Sequence, residues 1–144
     1  MLKLETAKDI INFAIAREQY AHELYKSMAK REVYSNVAQL CEQLAAEELG
    51  HKQKLQQDFM MSSQTASSMD VSEYVVHNEQ KTVFMDCQEF LAFAVKKEDR
   101  AIKFYKEMAE EAANTQCRNV FLALAAEEKK HKEALQKKLE DLLK

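Results

Sequence analysis

The chain has 144 residues, about the size of one domain, with no proline, a single glycine (Gly50) and a net charge of −3 from 21 basic and 24 acidic side chains. Ala, Leu, Glu, Lys, Gln and Met fill the sequence, residues that lose little side-chain freedom in a helix, while the turn residues a sheet protein needs are scarce. Charge is spread without a basic block, and no apolar run approaches the roughly 20 residues of a membrane span, so neither nucleic acid nor membrane is an expected partner.

The opening segment MLKLETAKDIINFAIAREQY is broken by charge every few residues and has no signal-peptide pattern. Helical periodicity predicts a first helix from about Thr6 to Arg31, with Ile11, Ala14, Ile15, Glu18, His22, Tyr25 and Ala29 on one stripe. A second helix is expected to start near Ser35 as N-cap and to carry Val37, Leu40, Cys41, Leu44, Glu48, His51, Leu55 and Phe59 on one face. The stretch Ser62 to Met85 begins with the polar run SSQTASSMD, with a short helical piece expected around Glu73 to Glu79. A third helix follows from about Asp86 to Ala112 through Phe90, Phe93, Ala94, Glu98, Ile102, Tyr105 and Met108. The fourth starts after Asn114 or Thr115 and carries Val120, Phe121, Leu124, Glu128, His131, Leu135 and Leu142.

Short joins make antiparallel hairpins of residues 5–60 and 86–143, and residues 61–85 are long enough to cross the length of a bundle. The expectation is one all-α domain over 1–144, a four-helix bundle of two hairpins joined by one long crossover.

An internal repeat sharpens that picture. At an offset of 80, FAIAREQYAHELYKSMA (13–29) lies on FAVKKEDRAIKFYKEMA (93–109), and LAAEELGHKQKL (44–55) on LAAEEKKHKEAL (124–135). Glu18 then matches Glu98, Glu48 matches Glu128, His51 matches His131 and Tyr25 matches Tyr105. Each half therefore sets one glutamate in the apolar face of its first helix and a Glu-x-x-His in its second. Positions i and i+3 share one side of a helix, so each Glu-x-x-His can approach a single point. A carboxylate on a core face is costly unless it is paired, neutralised or bound to metal. Four such carboxylates and two imidazoles supply a formal charge of about −4, which balances two divalent cations. Two matched copies are far harder to explain as solvated surface pairs than one would be. Mixed Glu and His ligation suits iron or manganese, and zinc accepts the same donors.

This pattern resembles the rubrerythrin branch of the ferritin-like superfamily, over nearly the whole chain and in its Glu, Glu-x-x-His, Glu, Glu-x-x-His order. The resemblance implies a non-haem di-iron centre ligated by Glu18, Glu48, His51, Glu98, Glu128 and His131. In it Glu48 and Glu128 bridge two iron ions, Glu18 and His51 complete one, and Glu98 and His131 complete the other. It also implies an oxidoreductase that reduces peroxide or O2, or oxidises Fe(II). Two features depart from rubrerythrins proper. Ala101 stands where they carry a further glutamate, and their rubredoxin domain with two CxxC pairs has no counterpart in these 144 residues. Electrons are then expected from a separate rubredoxin-type donor. Two other readings are a non-catalytic iron-binding or storage protein, and a helical interaction module with a structural metal. A homodimer is the expected assembly.

Tyr25 and Tyr105 follow Glu18 and Glu98 by two helical turns, where their hydroxyls can steady a ligand carboxylate. His22 has Ile102 as its repeat mate and reads as a core or rim histidine, with extra ligation as the alternative. His77 in the crossover reads as solvated, and Glu47 and Glu127 point about 100° away from the motif glutamates. Cys41, Cys87 and Cys117 form no CxxC pair and read as free thiols in a reducing cytoplasm, with Cys41 and Cys117 as small core residues. Gly50 faces Lys130 across the repeat, either as a neutral surface change or as an opening beside the site.

Overall fold

The computed structural model describes residues 2–59, 68–75 and 86–144. Among them are four α-helices: α1 (Ala7–Ala29), α2 (Ala38–Phe59), α3 (Cys87–Glu110) and α4 (Thr115–Leu142). The chain divides into two compact units, Leu2–Asp70 with α1 and α2, and Val71–Lys144 with α3 and α4. The expected 61–85 crossover and His77 lie largely or wholly outside the described residues.

Three of the helices start on a polar cap. The Thr6 hydroxyl accepts from the Asp9 amide at 3.0 Å, Asp86 accepts from the Glu89 amide at 2.8 Å, and Asn114 accepts from the Cys117 amide at 2.8 Å. Each satisfies one of the amides that a helix start leaves without an intrahelical acceptor. Thr6 and Asp86 are repeat mates, so the device recurs with the hairpin. Asn114→Ala should cost about 1 kcal/mol in urea unfolding, with Asn114→Ser close to native.

The start of α2 departs from expectation. Ser35 is not its N-cap but lies inside a 3-10 turn, Glu32–Val37, and it is the Ser35 carbonyl that accepts from the Ala38 amide. Arg31 sits over the ring of the buried Tyr34 at 5.5 Å, which anchors that turn. By contrast α3 passes to α4 through a short turn around Glu111–Asn114.

In the first unit the buried face of α1 holds Ile10, Ile11, Ala14, Glu18, Ala21, Leu24, Tyr25 and Met28. The expected stripe was turned slightly, since Ile15, His22 and Ala29 are only half-buried. This face packs on α2, where Val37, Cys41, Leu44, Ala45, Glu48, His51 and Leu55 are buried. Leu40 is half-buried. A two-residue antiparallel ribbon, β1 (Lys3–Leu4) with β2 (Met69–Asp70), pairs Lys3 with Asp70 and Leu4 with Met69. Two residues are too few to leave any alternation in the sequence.

In the second unit α3 buries Phe90, Leu91, Ala94, Lys97, Glu98, Ala101, Phe104, Tyr105, Met108 and Ala109 against α4. Phe93 and Ile102, expected in this face, are half-buried. Helix α4 contributes Cys117, Phe121, Leu124, Ala125, Glu128, His131 and Leu135, while Val120 is half-buried and Leu142, in the last helical turn, is exposed. Of the helical piece expected at Glu73 to Glu79, the described residues show a 3-10 turn, Ser72–Tyr74, followed by an extended Val75, and residues 76–79 lie outside the described residues. The Tyr74 hydroxyl donates to Glu107 at 2.8 Å and Lys103 donates to Glu73 at 2.7 Å, which fixes this turn to α3. Burial, then the Glu107 carboxylate, pushes the Tyr74 phenol far above its ordinary range. Burial likewise raises the Cys117 thiol, in keeping with a small core residue.

Candidate metal centre

In the first unit, Glu18 comes from the middle of α1 and Glu48 and His51 from one side of α2. All are buried: Glu18 is 3 % exposed, Glu48 0 % and His51 8 %. His51 Nδ1 lies 2.9 Å from Glu18 Oε2 and 3.2 Å from Glu48 Oε1, so one ring nitrogen faces both carboxylates. In the second unit, Glu98 of α3 joins Glu128 and His131 of α4, all again buried. His131 Nδ1 lies 3.2 Å from Glu128 Oε1 and 3.9 Å from Glu98 Oε2.

Each hairpin thus gathers two carboxylates and one imidazole at a point. Cis ligands bound about 2.1 Å from a divalent ion lie about 3 Å from each other, a separation close to the shorter Nδ1–oxygen distances. Such donors fit iron or another first-row divalent ion. Within each unit the sequence-expected triad is brought together: Glu18 with Glu48 and His51, and Glu98 with Glu128 and His131.

Sequence reasoning missed Lys97. It is 7 % exposed, and its Nζ lies 3.6 Å from Glu98 Oε1. The signal was legible, because Phe90, Ala94, Lys97, Ala101, Phe104 and Met108 follow the 4-3-4-3-4 spacing of a packed helix seam.

The neighbours resolve as follows. Tyr25 and Tyr105 are both buried; Tyr105 meets Phe104 edge-on at 5.3 Å and stacks with Phe121 at 6.4 Å. Tyr105 thus packs among the aromatic side chains of the second unit. His22 is half-buried and its Nδ1 stands 2.7 Å from the Ala45 carbonyl. A carbonyl can only accept, so Nδ1 carries the proton and ties α1 to α2. That is the rim reading, and His22→Ile should cost about 1 kcal/mol in urea unfolding while metal content stays native. Glu127 is part-exposed and lies 3.4 Å from Lys130, as expected of a charge turned off the motif face. Gly50 is exposed, and a Cβ there would meet nothing within 4 Å, which fits the neutral surface reading.

Two helical hairpins, each with a buried Glu and Glu-x-x-His triad, define an all-α carboxylate protein of the ferritin-like class. A model of the rubrerythrin family matches residues 9–85 and 89–144. The chain belongs to the rubrerythrin family. No curated protein and no solved structure gave a significant match. Among the described residues, no helix is long and apolar enough to cross a membrane.

Proposed function

We propose that the two triads hold two iron ions and that the chain is a di-iron oxidoreductase, reducing peroxide or O2 or oxidising Fe(II) with electrons from a separate donor. One observation carries this reading: both hairpins bury the same Glu and Glu-x-x-His triad with histidine Nδ1 turned to the carboxylates. Family membership supports it. Glu18, Glu48 and His51 would hold one ion and Glu98, Glu128 and His131 the other, with Glu18, His51, Glu98 and His131 as terminal ligands. When bound, a ferrous pair supplies two electrons to one oxidant molecule. The protein's own part would be to keep the carboxylates out of water and to turn each imidazole Nδ1 toward them. A rubredoxin-type protein is the natural class of donor, and a cytoplasmic homodimer the natural setting.

A second reading, iron binding without turnover, draws on Ala101. This residue is 4 % exposed and one turn beyond Glu98, an apolar group where related proteins carry a further carboxylate. Anaerobic Fe(II) loading followed by separate O2 and peroxide challenges decides between the two, with Glu48→Ala as control. Fast ferrous oxidation by peroxide or by O2, lost in the control, establishes turnover and names the oxidant. Retained iron that reacts no faster than free Fe(II) favours binding alone. A folded native protein that takes up no metal ends both readings.

A further inference from the structure

Seam spacing places a cation at the same point of both hairpins. In α3 it is Lys97, between Ala94 and Ala101; in α1 it is Arg17, between Ala14 and Ala21. The two are deployed differently. Arg17 is half-buried, with its guanidinium carbon 6.0 Å from the centre of the Phe13 ring. Lys97 is buried, and its ammonium reaches Glu98 Oε1 at 3.6 Å, while Glu98 Oε2 faces His131. One hairpin thus gathers Glu18, Glu48 and His51, with a formal charge of −2 when the imidazole is neutral. The other gathers Glu98, Glu128 and His131 and adds Lys97, for a formal charge of −1.

We propose that Lys97 is an internal counter-cation that makes the two triads unequal, so that the Glu98, Glu128 and His131 triad binds its divalent ion more weakly than the Glu18, Glu48 and His51 triad. The inference rests on the metal reading above. Its physical basis is simple. A buried ammonium beside a ligand carboxylate both competes for that oxygen and repels an arriving cation, and burial limits the screening that would mute this at a surface. A lysine tolerates such a place because its stem packs along the apolar seam while the head pairs with Glu98. Glu98 then has one oxygen engaged by Lys97 and one left toward His131, which favours single-oxygen ligation on that side. Lys97 acts through Glu98 and is a positioning residue.

The test is anaerobic titration of the metal-free full chain with Co(II), read by visible absorption and calorimetry, for native protein, Lys97→Met and Lys97→Arg. Methionine keeps the stem and removes the charge; arginine keeps the charge. The native chain should show a tight and a weak step, with the weak step tightening about tenfold or more in Lys97→Met and staying near native in Lys97→Arg. His131→Ala should abolish the Lys97-sensitive step, and His51→Ala should retain it. Two bound ions whose constants ignore Lys97→Met overturn the inference and leave the metal reading standing. Equal shifts in Lys97→Met and Lys97→Arg also overturn it, since they mark a packing role. Absence of Co(II) uptake by the folded native chain overturns the metal reading and this inference together.

Discussion

Glu48→Gln should hold less iron than the native chain, yet be the more stable of the two when both are metal-free. Glu48 is fully buried, and with Glu18 it flanks one imidazole, that of His51. Two carboxylates and one imidazole carry net negative charge in a dry site whether or not the ring is protonated. Glutamine keeps the volume of Glu48 and removes one of those charges, which relieves about 1–2 kcal/mol of desolvation and like-charge repulsion. On the metal reading, the same change removes a ligand. Native protein with ligand at a hundredfold excess over its Kd gains about 2.7 kcal/mol from linkage, and the variant should gain little of it. Thermal unfolding with and without Fe(II), under anaerobic conditions, reads both effects on one instrument. The ranking of the two proteins should reverse between the metal-free and loaded states. A metal-free variant that is weaker than native, together with native iron content, would sink the assignment of Glu48 as a ligand.

Phe104→Ala should be the most damaging single truncation in the second unit, at about 3–5 kcal/mol. Phe104 is fully buried and meets Tyr74 at 5.1 Å and Tyr105 at 5.3 Å, both edge-on. Its loss opens a cavity under Tyr74, whose hydroxyl bond to Glu107 closes the turn against α3. Phe93→Ala provides the contrast. That ring is half-buried, so truncation should cost well under half as much. Urea unfolding followed by far-UV circular dichroism measures both. Comparable losses at the two positions would mean that Phe93 belongs to the core face of α3 as fully as Phe104.

The contrast between Phe104 and Phe93 also marks how far the sequence could be read. Helix number, approximate bounds and the pairing into hairpins followed from composition, periodicity and the 80-residue repeat, because those signals accumulate over many residues. Both triads were legible for the same reason: a glutamate on an apolar face is costly, and this one occurs twice in register. Rotation of each helix was less legible. In α1 the stripe drawn through Ile15, His22 and Ala29 was one step away from the face through Ile10, Ala21, Leu24 and Met28 that packs on α2. Isoleucine and alanine occur on both sides of that boundary, so hydrophobicity alone left the angle open. Ser35 misled for a local reason. A serine before a helical run reads as a cap, but here the chain enters α2 through a 3-10 turn that uses the serine's carbonyl. Burial of Lys97 is hard to read from sequence because lysine is ordinarily solvated, and only the seam spacing argues otherwise.

The contact between each histidine and its carboxylates has a consequence for how the protein responds to acidity. His51 Nδ1 and the Glu18 and Glu48 carboxylates converge on one point, and a metal ion held there would need the nitrogen lone pair and both carboxylates ionised. On the metal reading, protons compete with the ion for these donors, and uptake in weakly buffered solution should acidify the medium. Acid should then weaken metal retention, which would tie the metal content of this small helical protein to the pH around it.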